Sequence, residues 1–290
     1  MAREKMHSQI TDESQSALRR YQRLIVGSTR LGYTLKYELI VAIGSLAPGA
    51  LGLWLRQKLY RHLLMRAGRG VFFGAGVILR HPCKVAVGDH VVVADGCLLD
   101  ARGDSNRGIR LGNNVILGDR ATLRCKDGDI VIGNNVGIGL NSSLSAVGGN
   151  VLELADEVMI GPYAYLGGAS YHYDRLDIPI SHQGQDLKGG IKVGYGAWIG
   201  ARAVIMDGVT IGRDAIVATN AVVNKDVPDY AIVAGVPARL VRTRRAEPVQ
   251  AEVESPNPPI RLDCGGPSDP MPLLVQEHTV PGVNRARSKS

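Results

Sequence analysis

At 290 residues, 45% of them hydrophobic, the chain is long and apolar enough to build a sizeable core, which excludes a wholly disordered polymer. Only 5% is aromatic while 36 residues are glycine, so the core must be packed from small aliphatic side chains, and the glycines lack collagen's every-third spacing. The net charge of +7 is local: residues 1–70 hold 12 Lys/Arg against 4 Asp/Glu, and the remainder carries about −1, which argues against a nucleic-acid surface on the body of the chain.

In chain order, residues 1–13 read as a disordered start, and residues 14–69 as a basic helical segment. Ser14 to about Leu46 has helical character, interrupted near Gly27 and Gly32. Pro48-Gly49 breaks it, and Leu51 to Ala67 reads as a second helix with a Leu51, Leu55, Leu59, Leu63 row at i,i+4 spacing. Leu53, Trp54, Tyr60 and Leu64 lie outside that row, so this helix is apolar on more than one side. Two roles are open for the segment: it caps the end of the following β-structure, or it rests on an anionic membrane surface. The stretch from Leu39 to Leu55 is too short and too broken to span a bilayer comfortably.

From about Phe73 a six-residue period takes over. It is clearest in residues 193–228, where Val193, Ile199, Ile205, Ile211, Val217 and Val223 recur without a break. Ala197, Ala203, Val209, Ala215 and Ala221 sit four places after the successive aliphatics. Period six fits neither an α-helix nor an ordinary strand, and fixed self-similarity signals a stacked-coil architecture. Each hexapeptide supplies a short strand and a corner. Three of them close a triangular turn, and successive turns pair as parallel strands. Earlier coils start at Leu111, Ile132 and Leu154 with a few extra corner residues. From Leu154 to Val193 is 39 residues, one coil plus 21, and the surplus defines a large excursion at roughly 172–192. Loops of that length in a compact repeat domain are usually functional or disordered. The coil domain is expected over 70–245, with a closing strand after Val227-Pro228. Residues 246–290 hold 8 of the 14 prolines and read as a disordered tail.

The four cysteines (Cys83, Cys97, Cys125, Cys264) form no CxxC pair. Cys83 and Cys97 fall on positions expected to face inward, where a thiol serves as a small hydrophobe. With no signal peptide in the polar first twenty residues, the expected setting is reducing and cytoplasmic.

Ala197-Trp198-Ile199-Gly200, Asp207-Gly208-Val209-Thr210-Ile211-Gly212, Lys225-Asp226-Val227-Pro228 and Ala234-Gly235-Val236-Pro237-Ala238-Arg239 resemble the hexapeptide-repeat (left-handed β-helix) acyltransferases. Within that superfamily the chain is most similar to sugar O-acetyltransferases of exopolysaccharide and capsule biosynthesis. Pro48 to Tyr60, Leu79-Arg80-His81-Pro82 and Asp177-Ile178-Pro179-Ile180 with Gln183-Gly184 carry the narrower match. The resemblance implies an all-β, left-handed parallel β-helix, a homotrimer with active sites between subunits, and acetyl-CoA as co-substrate with no metal.

Moving an acetyl group from a thioester to a saccharide hydroxyl needs a base for the alcohol proton. Imidazole, with an unperturbed pKa near ~6.5, suits that role. Of seven histidines, His7 and His278 lie in the expected disordered ends, His62 is on a helix, His81 and His90 sit in early coils, and His182 lies inside the excursion. His172 ends a coil where the excursion departs, and the resemblance implies that it is the general base. Asp100 and Asp174 are candidates for the acceptor side. Trp198, Ala201, Thr219, Asn224, Lys225 and Arg242 match positions that hold coenzyme A in the family, with Lys225 and Arg242 suited to its phosphates. The family's maltose- and galactoside-type members place an Asn near where this chain has Gly96-Cys97, which leaves the acceptor sugar open. N-acetylation of a nucleotide-linked amino sugar and a non-catalytic scaffold remain as alternatives. A zinc hydratase on the same fold would need three histidines that the coils do not supply. The basic segment suggests a lipid-linked acceptor and a peripheral position at the inner face of the membrane.

Overall fold

The computed structural model describes residues 16–244; the expected disordered start, 1–13, and the proline-rich tail, 246–290, lie outside the described residues. The body is a three-sided stack of short parallel strands with a helical cap at its N-terminal end.

The first face holds seven strands, from Arg66–Ala67 to Thr210–Ile211. The second holds nine, from Phe72–Phe73 to Arg239–Thr243. The third holds seven, from Ile78–Arg80 to Val222–Val223. Every strand pairing between successive coils is parallel, as at Gly137↔Ile116 and Gly137↔Met159, until Arg239–Thr243 folds back antiparallel on Ala231–Ala234. The closing strand expected after Pro228 is therefore a pair. The first coil begins earlier than Phe73, because Arg66–Ala67 already pairs with Ala86–Val87.

The six-residue period is the period of burial. Val193, Ile199, Ile205, Ile211, Val217 and Val223 point inward, as do Ala197, Ala203, Val209, Ala215 and Ala221. One branched aliphatic and one small residue per side fill a triangular section too narrow for rings. Phe73, in the first coil, is the one phenylalanine inside. Cys97 and Cys125 are also fully buried. Cys83 instead sits half-buried in a 3₁₀ turn, Pro82–Lys84, that leaves the coil.

At the first corner position, as at Gly161, glycine is held for a reason other than left-handed backbone. A Cβ on Gly161 would stand 2.5 Å from the Ala201 backbone nitrogen in the next coil, so close stacking forbids a side chain there. The left-handed φ falls two residues later and is carried by His90, Asn114, Asn135, Tyr163, Arg202 and Asn220, and by glycine itself at Gly70, Gly76, Gly96 and Gly196. Along one edge, corner carboxylates and amides of each coil accept from the preceding coil's backbone: Arg69 N–H to Asp89 (2.7 Å), Asp89 N–H to Asn113 (2.8 Å), Asn113 N–H to Asn134 (2.9 Å) and Asn134 N–H to Asp156 (2.7 Å). Those backbone donors hold the carboxyls of Asp89 and Asp156 below the usual range.

The cap comprises α1 (Ala17–Tyr21), continued by a π-helical turn Gln22–Val26, then α2 (Leu31–Leu46) and α3 (Gly49–Leu59), continued by a 3₁₀ turn Tyr60–His62. Gly27, at φ +78°, ends the first helix as expected. Gly32 interrupts nothing, being the second residue of α2. The leucine row on α3 is not its packed face. Within the helix Leu51 is exposed, Leu55 and Leu59 are half-buried, and the buried positions are Gly52 and Arg56; burial resumes just beyond it at Tyr60, Leu63, the last of the row, and Leu64. The cause is Arg56, whose guanidinium donates to the carbonyls of Phe73 (3.0 Å), Gly44 (3.1 Å) and Ala47 (3.1 Å) and ties both helices to the first coil. Tyr60 packs edge-on against Phe73 at 5.6 Å. Tyr37 donates to the Leu79 carbonyl at 2.8 Å. The segment thus covers the open end of the stack.

Candidate active site

The coil's register is broken most deeply between Tyr165–Gly167 on the third face and Gly190–Val193 on the first. The excursion spans 168–189 rather than 172–192, because Gly190 and Ile191 already pair with Val151 and Leu152. It leaves and returns as a short antiparallel ribbon, Ser170↔Asp186 and Tyr171↔Gln185. Gln183 staples its interior: its side-chain oxygen accepts from Arg175 N–H (3.0 Å), and its amide donates to the carbonyls of Arg175 (2.6 Å) and Ile178 (3.2 Å). Arg175 pairs with Asp177, whose carboxyl that guanidinium holds below the usual range. At the return end Asp207 accepts from the backbones of Lys188 (2.7 Å) and Gly190 (2.9 Å) and from the Asn150 amide. Asp207 appeared in the sequence only as part of a repeat landmark, and nothing in its spacing marks this bolting role.

His172 stands where the ribbon opens. Its backbone N–H donates to Gly184 (3.2 Å), its side chain is exposed, and the imidazole has no hydrogen-bond partner among the described residues. Asp174, two residues on, is equally exposed and unpaired. A free imidazole on a stapled loop is available to a ligand's proton.

The remaining predicted residues divide between two edges of the prism. Asp100 ends a third-face strand, and Asn224 and Lys225 form the corner after another, Val222–Val223; this is the same third-to-first edge from which the excursion departs. Asp100 stands three strands from Gly167, through the series Asp100↔Arg124, Arg124↔Ser145 and Ser145↔Gly167, or ~14 Å at normal strand spacing. It is fully buried and already paired, with Arg102 at 2.7 Å and Arg80 at 3.5 Å. Its carboxylate therefore does not offer a surface to an acceptor. The two guanidinium groups it holds are partly exposed.

Trp198, Ala201 and Thr219 belong to the second face and its following corner. Trp198 is 49% exposed, flanked by Met159 and Ile216. Asn220 N–H donates to the Ala201 carbonyl at 2.9 Å, so Ala201 and Thr219 stack in successive coils. Arg242 lies on the second face as well, paired with Ile232. One side of the triangle separates this group from the His172 edge: Thr219 to Lys225 is six positions, or ~16–20 Å of strand. A single chain places His172, Asp174 and, two coils further on, Lys225 along one edge, and separately stacks Trp198, Ala201 and Thr219. It does not bring the two groups together.

Burial pushes the Cys97 thiol up to about 11 and the Cys125 thiol up to about 12, which leaves both protonated near neutrality and poor nucleophiles. Among the described residues no three His, Cys, Asp or Glu side chains are grouped to hold a metal ion.

Residues 190–225 match the bacterial transferase hexapeptide (six repeats) family. A "Probable acetyltransferase" of Mycobacterium tuberculosis is 30% identical over 137 residues, 47% of this chain and 45% of its own length. The galactoside O-acetyltransferase of Escherichia coli is 31% identical over 118 residues, 38% of this chain and 55% of its own. The chain thus spans about half the length of the curated relatives it matches. Among solved structures, a mutant of an N-acyltransferase from Bacillus cereus, in complex with dTDP and coenzyme A, aligns at 20% identity, covering 66% of this chain and 90% of that one, with a TM-score of 0.47. The repeat match over residues 190–225, the three-sided stack and the named relatives show a chain that carries hexapeptide repeats and is similar, over about half of its length or less, to bacterial acetyltransferases.

Proposed function

We propose that the protein transfers an acetyl group from acetyl-CoA to a hydroxyl of a saccharide, lipid-linked, in polysaccharide biosynthesis. The reading is carried by His172: an exposed imidazole without a partner among the described residues, at the base of a large excursion from the coil. Acetyltransferase relatives, sugar-directed in the Escherichia coli case, support the same class of chemistry.

In the proposed step His172 accepts the proton of the acceptor hydroxyl as its oxygen attacks the thioester carbonyl carbon. A C–O bond forms, the C–S bond breaks, and the imidazolium returns the proton to the departing thiolate. No covalent enzyme intermediate is required, in keeping with the protonated, buried thiols. Asp174 is proposed to contact the acceptor, and Asp100 to act at one remove by holding Arg80 and Arg102 in place. Trp198, Ala201 and Thr219 are proposed to line the pantetheine arm. Asn224, Lys225 and Arg242 complete the proposed coenzyme set, the two cations serving its phosphates.

The separation of the two groups bears on assembly. A complete site needs the second face of one copy against the His172 edge of another, as in a closed homotrimer. The second face supports that reading, since its outward column runs Phe72, Val92, Ile116, Gly137, Met159, Trp198 and Ile216 and carries no charge, with Ile116 and Met159 each 55% exposed. The first face instead is mixed, with Arg110, Val131, Glu153, Lys192 and Thr210 outward.

The direct test is His172→Ala. Turnover with labelled acetyl-CoA across a panel of saccharide acceptors should fall by at least ~100-fold, with coenzyme A affinity unchanged. Full activity in that variant would remove the assignment.

A further inference from the structure

The helical cap has two sides, and the chemistry of the stack accounts for only one. Tyr37 and Ile40 of α2, and Arg56 and Tyr60 of the α3 segment, face the first coil. The opposite side of α2 carries Leu31, Leu35, Leu39 and Ile43 at i,i+4 spacing, and α3 adds Leu51 and Trp54. These six large side chains are between 37% and 71% exposed. Around the helix, Ala42 falls inside the stripe, and Glu38 and Lys36 mark its two margins. Glu38 is engaged by the Tyr21 hydroxyl. An apolar stripe of this size on a solvated helix is costly unless something covers it.

Charge indicates what covers it. On α3 the exposed row that begins with Leu51 and Trp54 continues one turn later into Lys58 and then Arg61. Neither Lys58 nor Arg61 has a carboxylate partner among the described residues. Both line a cleft of about 230 Å³ between the cap and the first coil, together with Arg69, which is 88% exposed and only loosely paired with Asp89 at 3.4 Å. Apolar side chains, then a tryptophan, then cations is the order in which a protein surface meets lipid tails, the interface and the headgroups. The copy-to-copy contact proposed above runs along the flat faces of the prism, whereas this surface lies on its end.

We infer that the outer side of α2 and α3 is a membrane-docking surface that takes an anionic bilayer, with the stripe entering the acyl boundary and the Lys58–Arg61–Arg69 cleft receiving lipid phosphates. No helix among the described residues is long and apolar enough to cross a membrane, so docking is in the plane of the interface. The inference does not rest on the acyl-transfer reading, and its test contains no turnover step.

The full chain should float with phosphatidylglycerol–phosphatidylcholine vesicles at low salt and bind pure phosphatidylcholine far less. Leu35→Glu/Leu39→Glu should lower anionic-vesicle binding more than tenfold, since two exposed leucines lose their apolar burial. Lys58→Ala/Arg61→Ala should lower it about fivefold per cation, an effect erased at high salt. All four positions are solvent-exposed, so far-UV circular dichroism and thermal midpoint should not move. Absence of wild-type binding to anionic vesicles, or equal binding by Leu35→Glu/Leu39→Glu, would overturn the inference. So would a variant that loses self-association instead of vesicle binding, which would make the stripe a contact between copies.

Discussion

His172 and Arg56 show opposite uses of a polar side chain. His172 is left free at the mouth of a stapled loop, whereas Arg56 is 5% exposed and spends its guanidinium on three carbonyls. Replacing Arg56 by Met keeps most of the volume and strands those acceptors. The cost should be about 3 kcal/mol in a denaturation experiment, as for removal of one partner of a buried charged group. The same substitution at exposed Lys58 should be nearly silent. The sequence shows Arg56 only as one cation in a basic helix, and the leucine row beside it looks like the better packing face. Burial is decided by which carbonyls lie within reach, and that information sits in Gly44, Ala47 and Phe73, up to seventeen positions away. Asp100 was legible as a corner residue of interest, but its enclosure by Arg80 and Arg102 depends on a coil pairing that one residue does not reveal.

At the scale of elements, the cap is hung on His81. Its backbone N–H donates to Ile25 at 2.9 Å, and its ring nitrogen Nε2 is 2.7 Å from the Arg23 carbonyl. Burial lowers its pKa from the ordinary 6.5, so in the window below about 6.5 the unfolded chain takes up a proton before the folded one. The stability contributed by the neutral ring is therefore present above that range and is lost as pH falls through it. The unfolding midpoint should drop from about pH 8 to about pH 5, and His81→Asn, which suits the left-handed φ of +50°, should flatten that dependence while lowering the plateau. An unchanged slope would mean that another group carries it. Helix boundaries in this segment were legible at Gly27 and Pro48, where backbone chemistry acts locally. They were less so at Gly32 and Ala67, where tertiary contact decides whether a turn continues.

For the whole molecule, the regular coil could be read because one rule, a buried aliphatic every sixth residue, holds without exception from Val193 to Val223. The division of the candidate site between two edges could not, because it depends on which side of a triangle each hexapeptide occupies. That division predicts complementation. His172→Ala and Trp198→Ala should each be inactive alone, yet co-expressed they should recover about a quarter of wild-type activity, the share of subunit contacts in a random ring that unite an intact edge with an intact face. No recovery, with mixed assemblies confirmed by native mass spectrometry, would place both groups' work within one subunit. The excursion has a separate consequence. Because Leu152↔Ile191 and Leu154↔Val193 pair directly across its base, and Asp207 clamps only its last residues, its length is invisible to the stack. It behaves as an interchangeable cassette: grafting a longer or shorter insert between Arg175 and Gln183, which keeps His172 and Asp174 in place, should change which acceptor is used while leaving the coil's melting behaviour intact. A scaffold built this way can diversify its chemistry without renegotiating its stability.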